Sequence, residues 1–367
     1  MESELFIGLM SGTSLDGVDV SIIRFCDSNE NKCEVLHSHY LPYSLEIRNE
    51  LLALHFSGTN ELERAAILSN QITELYAKAV NQLLSKSLIE SSEIIGIGCH
   101  GQTIRHRPEL GFSIQICNPS LLVELTKIRV ICDFRSRDIA AGGQGAPLVP
   151  AFHQAVFSNP NINRVIINIG GISNISYLSK SGNLIGFDSG PGNLLMDSWT
   201  NRHLGKHYDE YGQWALSGSV IDELLSLLLE EPYLKLSPPK STGRDLFSQS
   251  WLDQYVNIHF SPNDVQRTLL EFTALTISNA VSSHCKEVDE IYLCGGGAHN
   301  TALFKCLQEM LHPVKIGLTD ELGIPINTVE AAAFAWLARQ TILDLPGNLP
   351  QVTGAKGFRV LGAIYAL

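Results

Sequence analysis

The first forty residues contain three short apolar runs that are separated by polar turns. These runs, at 5–10, 18–25 and 33–40, predict three consecutive β-strands. Two later runs, 93–99 and 128–134, are almost continuously apolar, which is typical of buried strands in a parallel sheet. Between the two groups, helical spacing predicts one long amphipathic helix. Its apolar residues stand at positions 65, 68, 72, 75, 79 and 83.

The segment 162–179 repeats the opening arrangement of apolar strand, glycine turn and apolar strand. This repetition predicts an internal duplication with a boundary near residue 160. Later helices are predicted from Ser261, an N-cap followed by proline, and over 327–340, where apolar residues recur at helical spacing. The sequence therefore predicts an α/β protein of two domains. Their predicted bounds are 1–160 and 161–345, and the tail 346–367 rejoins the first domain with a last strand.

Composition limits the class of protein. The 367 residues carry 26 Lys and Arg against 38 Asp and Glu, which gives a formal net charge of −12. Such a chain lacks the basic face that offsets nucleic-acid phosphates, so no nucleic-acid partner is expected. No apolar run approaches the roughly 20 residues that span a bilayer, so no membrane partner is expected. The eight cysteines form no CxxC pair and favour free thiols in a reducing, cytoplasmic compartment.

The turn between the first two predicted strands, SGTSLDGVD (11–19), contains more glycine, hydroxyl and carboxylate groups than a hairpin needs. Successive N–H groups in a turn bind anions, hydroxyls add donors, and an aspartate can hold Mg²⁺ through water. The alternative is an ordinary turn, in which Asp and Ser bond their own backbone.

Two further glycine segments extend this pattern. NIGGISN (168–174) repeats the glycine turn in the second half, and two such turns suit the opposite sides of a polyphosphate. IYLCGGGAHN (291–300) runs from a strand into three glycines, after which Asn300 caps a helix. Three glycines leave a flat platform at a helix N-terminus that suits a purine ring and its α-phosphate. The alternative is a flexible strand-to-helix loop.

Two carboxylates are candidates for acid–base chemistry. Asp188 ends a strand before a Gly-Pro-Gly turn, where a fixed carboxylate can act as a general base. A turn-and-cap role is its alternative. Glu330 has capping-box spacing with Asn327, so a role at a helix start competes with a catalytic one.

Other polar residues follow predicted strand ends. GIGCHG (96–101) matches the dinucleotide-binding pattern, but no helix follows it, which argues against a dehydrogenase. His100 and Gln102 instead stand where α/β sheets bind ligands. The loop 133–147 carries Asp133, Arg135 and Asp138, and carboxylates with Arg forks bind sugar hydroxyls well. Alternating charge on a surface loop is the alternative.

Together these segments resemble a known family. The three glycine segments are similar to the phosphate-1, phosphate-2 and adenosine loops of the actin/Hsp70/sugar-kinase superfamily. The resemblance to the anhydro-N-acetylmuramic acid kinase family is closer and extends over nearly the whole chain. It rests on GLMSGTSLDGVD, CHGQT, DFRSRDIAAGGQGAPLVPAFH, NIGGISN, GFDSGPGN, CGGGAHN and NTVEAAAFAWLA. The resemblance implies two duplicated ribonuclease H-like domains with mixed sheets flanked by helices, nucleotide in the interdomain cleft, and a homodimer.

The resemblance also implies a reaction and its residues. ATP, Mg²⁺ and water would convert 1,6-anhydro-N-acetylmuramic acid into N-acetylmuramic acid 6-phosphate in peptidoglycan recycling. The implied nucleotide-binding residues are Gly12, Thr13, Ser14, Leu15, Asp16, Gly17, Val18, Asp19, Gly170, Gly171, Gly295, Gly296, Gly297 and Asn300, with Asp16 holding Mg²⁺ through water. The implied sugar contacts are His100, Gln102, Asp133, Arg135, Asp138 and Asn193, and the catalytic pair is Asp188 and Glu330. The alternative class is an actin- or Hsp70-like ATPase switch that binds a polypeptide, against which the polar 100–103 and 133–138 loops argue.

Overall fold

The computed structural model describes residues 4–12, 14–26 and 32–367. The chain divides into two compact units. Unit 1 comprises Met1–Val156 and Gly323–Leu367, and unit 2 comprises Phe157–Leu322.

Both units contain strands and helices. The strands are β1 (Glu4–Met10), β2 (Gly17–Cys26), β3 (Lys32–Pro42), β4 (Ile94–Cys99), β5 (Gln102–Arg107), β6 (Phe112–Ile116), β7 (Val130–Cys132), β8 (Arg164–Ile169), β9 (Ile172–Leu178), β10 (Leu184–Pro191), β11 (Glu290–Cys294), β12 (Lys315–Leu318) and β13 (Ala363–Tyr365). The helices are α1 (Leu45–Ala53), α2 (Glu61–Ser87), α3 (Pro119–Thr126), α4 (Ser136–Ala140), α5 (Val149–Phe157), α6 (Leu194–Leu204), α7 (Gln213–Leu216), α8 (Asp222–Leu229), α9 (Gln249–Leu252), α10 (Pro262–His284), α11 (Thr301–Met310), α12 (Val329–Ile342) and α13 (Pro350–Thr353).

Unit 1 is built on a six-stranded mixed sheet with the order β13-β7-β4-β1-β2-β3. The strands β1, β2 and β3 are antiparallel, as expected for three consecutive strands joined by turns. The strands β4 and β7 continue the sheet in parallel on the other side of β1. They correspond to the two apolar runs, and their burial confirms the prediction of parallel strands. The tail contributes β13, which pairs with β7 and confirms the predicted last strand.

Unit 2 repeats this order in a five-stranded sheet, β10-β9-β8-β11-β12. Its first three strands are antiparallel, and its last two are parallel to β8. In both sheets the first strand is central, the second and third lie on one side, and the parallel strands lie on the other. This shared order confirms the predicted internal duplication and the ribonuclease H-like α/β class.

The helix α12 corrects the predicted domain division. The sequence prediction assigns residues 161–345 to the second domain, but the structure places α12 in unit 1. A Cβ on Gly8 would lie 1.7 Å from Ala331 O, and one on Gly98 would lie 2.0 Å from Phe334 O. Because β1 and β4 carry glycine at these points, the helix packs directly on their backbone. Its buried alanines extend this close contact along the sheet.

Two whole-chain expectations concern membranes and thiols. Among the described residues, no helix is long and apolar enough to cross a bilayer. All eight cysteines are free thiols, and their burial differs: Cys99, Cys132, Cys285 and Cys294 are buried, whereas Cys26 is exposed.

Candidate active site

The first candidate loop joins β1 to β2 in unit 1. Leu15 has a left-handed backbone with φ of 56°, and its side chain is completely buried. The turn is therefore anchored by one apolar side chain, while the neighbouring Asp16 is exposed. The Ser14 hydroxyl donates a hydrogen bond to Asp16 Oδ1 at 2.5 Å.

The other predicted residues of this loop have different positions. Thr13 lies outside the described residues. Val18 is fully buried, so a ligand can meet only its backbone. Gly17 is required for packing, because a Cβ there would lie 2.5 Å from Leu41 O.

His100 and Gln102 both bind the backbone of this loop. Gln102 Nε2 donates to Gly12 O at 3.2 Å, and its Oε1 accepts from Ser11 Oγ. His100 Nδ1 lies 3.2 Å from Ser11 O. Both side chains are buried. The structure therefore gives these two predicted sugar contacts an observed role in holding the first loop.

Arg135 determines the state of His100. One guanidinium nitrogen lies 2.8 Å from His100 Nε2, and the other donates to Gly145 O at 2.7 Å. Because a guanidinium only donates, Nε2 accepts and Nδ1 carries the proton that it shares with Ser11 O. Burial and the Arg135 charge lower the pKa of His100 to about 3. The Phe334 ring packs on the imidazole at 4.8 Å, so a neutral His100 joins α12 to the loop.

The two aspartates of the 133–147 loop differ sharply. Asp133 is exposed and has a left-handed backbone with φ of 59°. Its Oδ1 accepts a hydrogen bond from Ser136 Oγ at 2.5 Å. Asp138 is completely buried. Its carboxylate accepts three hydrogen bonds of 2.7–2.8 Å, from Gly145 N, Asn348 Nδ2 and Thr353 Oγ1. The burial and pairing of Asp138 argue against the predicted sugar contact, because this carboxylate fixes the loop to the C-terminal tail.

Glu330 stands at the start of α12. The helix begins at Val329 with Thr328 as its N-cap, so Glu330 is its second residue. A capping box centred on Asn327 requires the glutamate to be the third residue. The helix therefore starts one residue later than the capping alternative requires.

Glu330 lies close enough to Asp19 of the first loop for its charge to act on that carboxylate. Burial, together with the charges of Asp16 and Glu330, raises the pKa of Asp19 to about 7. Mutually repelling carboxylate oxygens fit a hard cation such as Mg²⁺. The described part of the chain holds no cluster of three or more His, Cys, Asp or Glu placed to bind a metal. The residues therefore fit a Mg²⁺ ion that keeps several waters and phosphate oxygens as ligands, not a complete protein cage.

In unit 2, three glycine-containing loops meet at backbone level. Asn193 N donates to Gly170 O at 2.9 Å, and a Cβ on Gly192 would lie 2.2 Å from the same oxygen. A Cβ on Gly297 would lie 2.3 Å from Ile169 Cγ2. The structure thus brings together the turn after β8, the turn after β10 and the glycines after β11.

The ends of the third glycine segment have structural roles. Gly295 has φ of 81°, and a Cβ there would lie 2.3 Å from Asn168 Oδ1. Asn300 accepts a hydrogen bond from Leu303 N at 3.1 Å, which confirms its predicted capping role. Gly171, which belongs to the second turn, is buried.

Three glycines face open space instead. On Gly12, Gly170 and Gly296, a Cβ would meet its nearest atom at 3.8, 3.6 and 3.9 Å, which is ordinary van der Waals contact. None of the three has a left-handed φ. Neither packing nor conformation therefore requires glycine there. Gly12 and Gly170 also occupy equivalent turns, between the first and second strands of the two sheets.

Asp188 lies near the end of β10 and is partly exposed. Its Oδ2 accepts from Thr242 N at 3.0 Å, and its own N–H donates to Lys240 O at 3.1 Å. Tyr233 Oη donates to Asp188 O at 2.8 Å. Sequence reasoning missed the segment PPKSTGRD (238–245) that surrounds this aspartate. The sequence feature that could have pointed to this segment is a run of charged and hydroxyl residues, which follows two prolines.

A row of polar side chains crosses the sheet beside Asp188. Asn174 on β9 lies opposite Asp188 on one side and Asn168 on the other. Directly opposite residues share one face of a sheet, so these three side chains are neighbours. Within the described residues, Asn174 Oδ1 is buried and has no hydrogen-bond partner. An orphaned acceptor of this kind marks a place that water or a ligand completes.

Comparison with known proteins identifies the family. The family described as anhydro-N-acetylmuramic acid kinase matches residues 4–367. The chain belongs to the anhydro-N-acetylmuramic acid kinase family. An anhydro-N-acetylmuramic acid kinase of Nitrosospira multiformis is 55% identical over 367 residues, all of both chains. One of Nitrosomonas europaea is 56% identical over 362 residues, which is 98% of this chain and 99% of that protein.

Membership of the anhydro-N-acetylmuramic acid kinase family makes this chain an enzyme of the phosphotransferase class. It supports the kinase interpretation and not the polypeptide-binding switch. Among solved structures, component A of the Acidaminococcus fermentans (R)-2-hydroxyglutaryl-CoA dehydratase has a TM-score of 0.49 and 12% identity, covering 90% of this chain and 96% of that one. At this level of similarity, the fold assignment rests on the strand order of the two sheets.

Proposed function

We propose that this enzyme uses ATP and water to convert 1,6-anhydro-N-acetylmuramic acid into N-acetylmuramic acid 6-phosphate and ADP. The observation that carries the proposal is the pair of open glycines, Gly12 and Gly170, at equivalent turns of the duplicated sheets. Turns with accessible N–H groups bind phosphate, and a missing side chain lets the phosphate approach the backbone. The identity of the sugar is taken from the name of the relatives, anhydro-N-acetylmuramic acid kinase.

In this proposal, each glycine segment binds one part of the nucleotide. The 12–19 hairpin holds the β- and γ-phosphates, the open turn at Gly170 and Gly171 also binds phosphate, and the segment 295–300 holds adenosine. The Gly170 N–H itself donates to Ile172 O at 3.2 Å, so the open space at this turn, and not that N–H, supports its assignment. Gly296 supports this last assignment, because its exposed Cα face is open. Asp16 and Asp19 are the proposed Mg²⁺ residues, in part through water. When bound, Mg²⁺ neutralises the phosphate charge.

The sugar determines what the protein must do at C1. Its O6 is already bonded to C1 in an internal acetal, so no free 6-hydroxyl exists. We assign Asp188 as the base that takes a proton from the water attacking C1. The C1–O6 bond then breaks through an oxocarbenium-like state, as in inverting glycosidases. The released O6 bonds to the γ-phosphorus as ADP leaves, so no separate acid is needed to protonate O6.

The surroundings of Asp188 support this role. Thr242 N–H and Tyr233 Oη–H hold its carboxylate and its backbone, which fixes the position of the base. We propose that Glu330 assists in catalysis, and that Asp133 and Asn193 bind the sugar. In this proposal His100, Gln102 and Arg135 act by holding the first loop.

The test measures ADP release by wild type, Asp188→Asn and Glu330→Gln, with and without the anhydro sugar and Mg²⁺. We expect the sugar to stimulate the wild type. Asp188→Asn should lose about 10²–10⁴-fold in kcat yet retain its affinity for ADP. Asp222→Asn, at an exposed aspartate of the same unit, is the control and should behave as wild type. ATP hydrolysis that is equally fast without sugar would disprove the substrate, and a fully active Asp188→Asn would disprove the base.

The homodimer implied by the family resemblance stays a prediction. Light scattering on the purified enzyme should give twice the mass of one chain. A monomeric mass at micromolar concentration would contradict it.

A further inference from the structure

Lys240 is a charged residue in a place that excludes most water. Its side chain is only 7% exposed. The ammonium donates to Tyr233 O and Leu234 O, both at 3.2 Å, and lies 4.8 Å from the centre of the Tyr233 ring. These partners are two carbonyl dipoles and an aromatic face, all without formal charge. Burying an ammonium is costly, so its retention suggests a use for the charge.

The same segment is attached to Asp188. Lys240 O accepts the Asp188 N–H at 3.1 Å, and two residues later Thr242 N donates to Asp188 Oδ2 at 3.0 Å. Tyr233 binds both partners, since its carbonyl accepts from Lys240 and its hydroxyl donates to Asp188 O. A short length of chain therefore fixes the ammonium relative to the carboxylate.

We propose that Lys240 is a positioning residue for Asp188, whose ammonium fixes the 240–242 segment beside β10 and whose charge keeps the Asp188 carboxylate ionised. This rests on the proposed role of Asp188 as the base. Among the described groups, Tyr233 and His284 also face Lys240. The orientation and the negative charge of the Asp188 carboxylate then depend on the buried Lys240 ammonium, 52 positions further along the chain.

The electrostatics agree with this arrangement. Burial lowers the pKa of Lys240, and the Asp188 carboxylate acts in the opposite direction. Burial and the Lys240 charge both lower the pKa of His284, which lies on α10. An opposite charge favours the ionised form of a carboxylate, so removing the ammonium makes deprotonation of the base harder.

The test compares Lys240→Gln with Lys240→Arg in the full-length enzyme. Gln retains N–H donors for the two carbonyls but removes the charge, whereas Arg retains the charge. Lys235→Gln is the matched control, because Lys235 lies five residues before Lys240 and is exposed. The readouts are the pH dependence of kcat/KM for the sugar, ADP affinity and the melting temperature.

On the acid side of the pH profile, kcat/KM falls as the base becomes protonated, and we call this fall the acid limb. For Lys240→Gln we expect the acid limb to move up by about one pH unit. At a pH below that limb, its kcat/KM should therefore be about tenfold lower than that of the wild type. Lys240→Arg should restore the limb to its original pH, and Lys235→Gln should leave it unchanged. ADP affinity should be the same in all variants.

A Lys240→Gln enzyme with the wild-type acid limb would overturn the proposal, whether or not its ADP affinity is also lower. If Lys240→Gln does not fold, an acid limb that moves up in Lys240→Arg, which retains the charge, would equally overturn it. The Asp188→Asn variant distinguishes a failure of the proposed function from a failure of the present inference. If that variant stays active, the proposed function fails. If it is inactive but Lys240→Gln retains the wild-type profile, only the present inference fails.

Discussion

The open glycines give the most direct test of where phosphate binds. Changing Gly12 or Gly170 to alanine adds one methyl group at a point where the nearest atom of the protein is 3.8 or 3.6 Å away. Neither residue has a left-handed φ, so alanine fits without strain. Alanine also reduces the conformational freedom of the unfolded chain. We expect each change to leave the free energy of unfolding unchanged or to raise it by about 0.4–1 kcal/mol.

The same methyl group should damage nucleotide binding. It would occupy the space through which a phosphate oxygen reaches the backbone N–H groups. Losing one such donor in a phosphate site costs roughly 10²–10³-fold in rate, as for other preorganised donors that stabilise developing negative charge. We therefore expect a higher KM for ATP and a lower kcat in both variants, together with an unchanged or higher melting temperature.

The assay couples ADP release to a spectroscopic signal at varied ATP concentration, and calorimetry measures the melting temperature. Gly58→Ala is the matched control. Gly58 is exposed, has no left-handed φ, and its nearest neighbour would be the flexible end of Arg64 at 3.4 Å. If Gly12→Ala and Gly170→Ala fold normally and keep the KM for ATP of the control, the open space at these turns is not where phosphate binds.

Two further outcomes follow from buried groups. Burial lowers the pKa of His153 to about 3, and burial together with the Arg135 charge lowers that of His100 to about 3. Below pH 6.5 each of these histidines therefore binds a proton in the unfolded chain but not in the folded one. Each histidine should therefore lower the free energy of unfolding by about 1.4 kcal/mol per pH unit as pH falls below 6.5, with no contribution above it. Urea unfolding at pH 7.5 and 5.5 should show a smaller decrease in His153→Gln; an equal decrease would contradict this. Asp138→Asn, which turns a buried acceptor of three hydrogen bonds into a partial donor, should cost about 2–3 kcal/mol in stability but leave the KM for the sugar unchanged. A raised KM in the folded variant would restore Asp138 as a sugar contact.

The local patterns of the sequence were enough to predict most elements. Apolar spacing predicted β1 to β4, β7 and the long helices, because each element must bury one face and its period is fixed by backbone geometry. Glycine turns at equivalent places predicted the duplication that the two strand orders confirm. The capping role of Asn300 was also predictable, since an N-cap bond joins residues only three positions apart.

The site was only partly predictable, because its contacts join distant positions. His100 and Gln102 were expected to meet a sugar, yet in the fold they bind the backbone of the first loop some ninety residues earlier. Nothing local distinguishes the exposed Asp133 from the buried Asp138, whose donors come partly from the C-terminal tail. Lys240 gave no sign of its link to Asp188.

The sequence by itself determined the elements, the duplication and the chemical character of the loops, since these depend on periodicity and on residue type at short range. Only the tertiary structure decided which unit receives α12, because that depends on Gly8 and Gly98 leaving room for the backbone of a helix more than 200 residues away. It also decided which polar groups are buried and paired and which face solvent. Burial and pairing depend on the whole packed chain, and these two quantities separate a supporting side chain from one that can meet a ligand.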